Sequence, residues 1–175
     1  MGQKTVNTKL AFGIEGEFYD SSIKRATNYK LGASAKFGKP LFFSADGKTV
    51  TPTYADGLRF AGIMVNPKEH INANADLAAT LELASGKTVG VADIGRVIVK
   101  VANTVAVGNK AYLCTTAGTG TGTGVTNYSI GDICGGTAAP ATAAGDGGVF
   151  VELTNAMFDI VEATAGQLAV LDLNK

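Results

Sequence analysis

Lys87-Thr88-Val89-Gly90-Val91-Ala92-Asp93-Ile94-Gly95-Arg96-Val97-Ile98-Val99-Lys100-Val101 is the stretch that sets the fold class of this 175-residue chain. Val89 and Val91 share one parity, and so do Val97, Val99 and Val101, which is the two-residue period of a strand with one apolar face. The link Asp93-Ile94-Gly95 is short and carries turn chemistry, so the stretch predicts a β-hairpin.

Working outward, further short β-branched runs fall at Leu58 to Val65, Lys110 to Thr115, Val149 to Thr154, Met157 to Ala163 and Gln167 to Leu173. Asn155-Ala156 and Thr164-Ala165-Gly166 separate the last three, which predicts a C-terminal meander. Only Asn74 to Thr80 has helix-like composition, and no window carries a sustained apolar period of 3.6, so no helix longer than two or three turns is expected. The predicted fold is mainly β: a small β-barrel or sandwich with an extended, irregular N-terminal arm. Residues 1–56 are assigned to the arm and 57–175 to the barrel. Two stretches, 116–124 and 135–148, are built almost wholly from Gly, Thr and Ala, cannot form a core, and are expected as exposed loops.

The arm differs in character from the rest. Glycines interrupt Leu10-Ala11-Phe12, Phe18-Tyr19 and Leu41-Phe42-Phe43 without a period, and eight of the chain's thirteen aromatic residues lie between Phe12 and Tyr54. Residues 1–70 hold ten Lys/Arg against six Asp/Glu, while residues 71–175 hold five against nine. An aromatic, basic, irregular segment suits binding along a neighbour, where buried rings dominate affinity. The same rings equally suit covering the open end of the protein's own barrel. If the arm is a separate docking element, deleting residues 1–38 leaves a folded barrel.

Composition excludes several function classes. The 46% apolar content suffices for a core, fifteen basic and fifteen acidic residues cancel, and nothing recommends nucleic acid as a partner. No segment is apolar enough for a membrane span, and the first residues lack the apolar core of a secretion signal, so a product made in the cytoplasm is expected. Cys114 and Cys134 are too few for a disulfide framework and lack metal-ligand spacing, which predicts free thiols that are dispensable for assembly. Catalytic chemistry is sparse. Gly86-Lys87-Thr88 resembles the tail of a phosphate loop, but Leu81 stands where that loop needs glycine, so a turn is expected instead. His70 is the sole histidine, and Asp159 and Glu162 have opposite strand parity. No catalytic residue, cofactor or metal site is assigned, and the chain reads as non-enzymatic.

An ordered series of short elements carries a resemblance. Ile14-Glu15-Gly16-Glu17-Phe18-Tyr19-Asp20-Ser21-Ser22, then Lys36-Phe37-Gly38-Lys39-Pro40-Leu41, then Phe60-Ala61-Gly62-Ile63-Met64, then residues 86–99, then Val105-Ala106-Val107-Gly108-Asn109-Lys110-Ala111-Tyr112 resemble, in order and spacing, the structural cement proteins of tailed bacteriophages. The resemblance spans residues 14 to about 113. It implies a β-barrel with an N-terminal extension, assembled as a homo-oligomer, dimer or trimer, on the outer surface of the head. There it would bind the major capsid protein and stabilise the lattice against internal DNA pressure, with no catalytic residue, no nucleic acid and no membrane involved. The residues expected to touch the capsid are Phe12, Ile14, Phe18, Tyr19, Lys24, Arg25, Tyr29, Phe37 and Phe42. A competing function is a head-surface adhesin or fibre whose glycine-rich loops bind host glycans; sugars usually stack on exposed Trp or Tyr, and the chain has no Trp and only Tyr128 near those loops.

Overall fold

The computed structural model describes residues 13–66, 82–119, 126–140, 148–160 and 162–173. Among these residues there is no helix, and eleven strands account for the regular structure. The first six are β1 (Arg25–Leu31), β2 (Ala35–Lys36), β3 (Pro40–Phe43), β4 (Thr49–Thr51), β5 (Phe60–Met64) and β6 (Glu82–Leu83). The remaining five are β7 (Thr88–Lys100), β8 (Lys110–Ala117), β9 (Ile133–Gly136), β10 (Gly148–Asp159) and β11 (Leu168–Leu173). The mainly β expectation holds. The helix-like Asn74 to Thr80 lies outside the described residues.

Strands run in the order β1-β4-β3-β5-β7-β11-β10-β8-β9, and β1 also pairs with β7. That extra pairing closes β1, β4, β3, β5 and the first half of β7 into a five-stranded barrel. From the second half of β7 the sheet continues through β11, β10 and β8 to β9, which returns to the end of β7 through a bridge between Val101 and Ile133. Asn103 completes this second closure: its side-chain amide donates to Gly135 O at 2.8 Å and its carbonyl accepts Gly135 N–H at 2.9 Å. A short side chain thus substitutes for a strand partner.

Each ring has a core. Leu31, Phe37, Leu41, Val50, Met64, Val89 and Val91 pack inside the five-stranded barrel. Val97, Val99, Leu113, Ile133, Leu153, Phe158 and Leu171 form the larger second core, and Phe42, Ile63 and Ala92 reach into it from the first barrel. The strand period explains the division, because Leu41 and Phe42, or Ile63 and Met64, point to opposite faces of one strand.

Two turns expected from sequence are bulges instead. Residues 87–101 form no hairpin: β7 is one strand of 13 residues. Its partners step from Ala26↔Ala92 to Arg25↔Ile94, so Asp93 is an extra residue, and Gly95 sits at φ 114°. This is the chemistry of a β-bulge, which bends and twists a strand without reversing it. The bend lets one strand serve two barrels, with β1 and β5 flanking its first half and β11 its second. Likewise Asn155-Ala156 does not divide two strands. β10 runs through, with Asn155 at φ 62° and an irregular register between Glu152 and Met157. The meander therefore reduces to a β10–β11 antiparallel pair.

The glycine-rich stretches are shorter as loops than expected. Thr116 and Ala117 belong to β8, Gly135 and Gly136 to β9, and Gly148 opens β10. Residues 120–124 and 141–147 lie outside the described residues.

The segment expected to be irregular holds β1 to β4. Residues 13–24 fit an extended, irregular run, but residues 25–51 supply four strands to the structure. Deleting residues 1–38 would remove all of β1 together with Leu31 and Phe37, both at most 1% exposed.

Candidate functional site

The run 13–24 lies along one edge of β7 and carries two of the exposed large apolar side chains, Tyr19 and Ile23. Backbone bonds hold it there: Gly16 N–H donates to Ile98 O, Ile98 N–H to Glu17 O, and Tyr19 N–H to Arg96 O, each at 2.8 Å. Its first turn also reaches the five-stranded barrel, because Gly16 O accepts Asn66 N–H at 2.9 Å. Gly16 has φ 82°, and a Cβ there would lie 2.9 Å from Gly38 N and from Met64 O. Only glycine fits so close a backbone crossing, which gives a physical reason for the Ile14-Glu15-Gly16-Glu17 sequence. The run covers Ile98, 2% exposed.

After Phe18, which bridges Val97, the chain swings away from β7 and rejoins it at Arg25. This excursion carries Ile23, 86% exposed, and Tyr19, 37% exposed. Ile23, Ser22, Ile94, Gly95, Arg96, Asp172 and Leu173 line a groove of about 340 Å³ beside it. Arg96 anchors the base. Its guanidinium meets Asp20 at 3.0 Å, Asp159 at 3.1 Å and Asp172 at 3.4 Å, tying the excursion to β7, β10 and β11. Hydrogen bonds from Ser22 and then from Arg96 hold the Asp20 carboxyl below its ordinary range.

The candidate contact residues divide sharply. Phe12 lies outside the described residues. Ile14 and Phe18 are half-buried, with the Lys24 ammonium 5.2 Å from the Phe18 ring centre. Lys24 and Arg25 are exposed; Arg25 Nε donates to Asp93 at 2.9 Å. Tyr29 is half-buried, edge-on to Phe43 with ring centres 5.2 Å apart. Phe37 and Phe42 are 0% and 1% exposed and sit in the protein's own cores, so in this conformation neither offers surface to a partner. Ile23, Asp20 and Arg96 were missed by sequence reasoning. Nothing periodic surrounds Ile23, and the three Arg96 partners come from segments far apart in the chain.

Elsewhere the chemistry is structural. Asp159 is bound to Arg96 and Glu162 is exposed, while His70 lies outside the described residues. Gly86 takes φ 85° in the turn before β7, as the sequence indicated. Cys114 and Cys134 are free and buried. Burial, reinforced by Asp132, pushes the Cys134 thiol up to about 12. Tyr128 packs edge-on against Phe150 with centres 5.2 Å apart, so its ring is partly occupied within the protein. No group of three or more His, Cys, Asp or Glu among the described residues is arranged to hold a metal ion.

Paired rings sharing one long strand define the fold class, an all-β double ring. The same fold occurs in a chain from the capsid of Myoviridae phage XM1, with TM-score 0.63, 13% identity, and coverage of 99% of this chain and 98% of that one. The base of the head fibre gp8.5 of bacteriophage phi29 gives a TM-score of 0.40 at 14% identity over 86% and 94% of the two chains, too distant to bear on the reading. No curated protein sequence matches. The chain belongs to the family of phage structural cement proteins described as "Structural cement protein (E217 gp24/Pam3 gp6)", which matches residues 2–174. Its role is that of a capsid-binding structural protein of the virion.

Proposed function

We propose that the protein docks on the outer surface of the head through the run 13–24, contacts the major capsid protein, and stabilises the lattice as a homo-oligomer. Ile23 carries this reading. An isoleucine left 86% exposed on an excursion that is otherwise firmly anchored has no use within the monomer, whereas at an interface it can be buried. Phe18, Tyr19, Lys24 and Arg25 surround it in sequence, Ile14 stands near the start of the run, and Tyr29 follows it on β1. Oligomerisation would add avidity on a repeating lattice.

The test is co-sedimentation of Ile23→Asp protein with heads that lack the cement protein. Placing a carboxylate where an apolar side chain is buried should reduce binding at least tenfold, while leaving the thermal unfolding midpoint unchanged. Undiminished binding would move the docking surface to another face.

A further inference from the structure

The five-stranded barrel is incompletely sealed at one place. Leu31 N–H donates to Lys87 O at 2.8 Å, and pairing with β7 continues back through Tyr29↔Val89 and Thr27↔Val91. Backbone groups alternate in direction along a strand, so Leu31, Tyr29 and Thr27 face β7 while Lys30, Asn28 and Ala26 face the opposite edge. β4 covers that edge only at Lys30 and Leu31. It cannot extend further, because the chain reverses just before it: Ser44 N–H donates to Thr49 O at 2.9 Å, Asp46 accepts Lys48 N–H at 2.9 Å, and Gly47 takes φ 67°. Among the described residues no strand pairs with the outward N–H and C=O groups of Ala26 and Asn28, and residues 25–28 are all exposed.

An open strand edge is a template for an added strand. Lys24, Arg25 and Lys30 border this one, and among the described residues only Arg25 has a carboxylate partner, Asp93. Such a border selects against basic segments and favours acidic ones. A second copy is disfavoured: in the antiparallel register that sets Ala26 of each copy against Asn28 of the other, Lys24 of each copy faces Lys30 of the other. We propose that the β1 edge at Ala26 and Asn28 takes an acidic, extended segment of the capsid protein as an additional strand. This rests on the capsid-docking reading above and names the kind of segment that is bound.

Hydrogen–deuterium exchange of the full-length protein, free and bound to heads lacking cement protein, tests it. In the free protein the Ala26 and Asn28 amides should exchange rapidly, and those of Thr27 and Tyr29 should be protected by β7. On heads, Ala26 and Asn28 should slow at least tenfold. The double substitution Lys24→Glu, Lys30→Glu should weaken binding at least tenfold at low salt with an unchanged unfolding midpoint. Asn28→Pro, which removes the outward N–H together with the side-chain amide, should do the same without salt dependence; if that variant fails to fold, the exchange measurement decides. Binding to heads with Ala26 and Asn28 still exchanging freely overturns the proposal while leaving head docking intact. Protection that arises in concentrated protein without heads, with a doubled mass, assigns the edge to a second copy and also overturns it. Failure to bind heads at all removes the docking reading and this proposal together.

Discussion

Residues 13–24 and residues 25–51 share aromatic side chains and are opposite in charge and in use. Both carry aromatic side chains, but residues 13–24 hold one basic and three acidic residues and lie on the surface along β7, whereas residues 25–51 hold five basic and one acidic and build four strands with Phe37 and Phe42 fully enclosed. Aromatic density therefore marks where large apolar surface is available, and burial decides whether it serves the protein or a partner. The difference has a backbone origin. Asp46-Gly47 folds 40–51 into a tight hairpin whose strands alternate inward and outward, whereas the crossing at Gly16 and the swing after Phe18 deny the first run a continuous partner.

The sharpest way to break this contrast is truncation. Deleting residues 1–38 should give a chain that does not fold cooperatively, because β1 pairs with both β7 and β4; a sigmoidal urea transition with native-like dichroism would contradict the assignment of β1 to the barrel. Next, Phe42→Ala should cost about 3–5 kcal/mol in urea unfolding, as expected for a ring deleted from a packed core. A cost below about 1 kcal/mol would mean that Phe42 is not the core residue described here.

Gly16→Ala tests the anchor between the two. A methyl 2.9 Å from backbone atoms, at a positive φ, should destabilise by about 1–3 kcal/mol and accelerate amide exchange at Glu17 to Tyr19. An effect confined to global stability, with local exchange unchanged, would show that the run is held by other contacts.

A smaller effect concerns pH. The folded Asp20 carboxyl titrates below its unfolded value, so its contribution is present above the unfolded pKa, near about 4, and is lost as pH falls through the folded pKa. Asp20→Asn should therefore lower stability at neutral pH, change little once the pH is below the folded pKa, and flatten the acid limb between the two. An unchanged acid limb would show that the Asp20–Arg96 pair does not contribute. The smallest change is expected from Tyr19→Ala, within about 0.5 kcal/mol in stability, with weakened head binding as its readout.

Much of this was legible in the sequence. The alternating valines of 97–101, the runs at 58–65 and 110–115 and the C-terminal Gln167 to Leu173 each overlap a strand, and the β class follows from them. Asp46-Gly47 between Leu41-Phe42-Phe43 and Thr49-Val50-Thr51 was a readable hairpin signal that the glycine-interrupted look of the N-terminal half concealed. The reverse error arose at Asp93-Ile94-Gly95 and at Asn155-Ala156, where turn chemistry marks bulges.

By itself, then, the sequence determined the period, the class and the positions where the backbone can depart from a straight strand, because those depend on each residue and its immediate neighbours. Only the tertiary structure decided whether such a departure reverses the chain or bends it. A bulge and a hairpin ask for similar local conformations, and the choice is made by partners distant in sequence: β1 and β5 on one half of β7, β11 on the other. The same holds for Phe42 and Ile23. Which apolar side chain is enclosed and which is left exposed follows from the faces those partners cover.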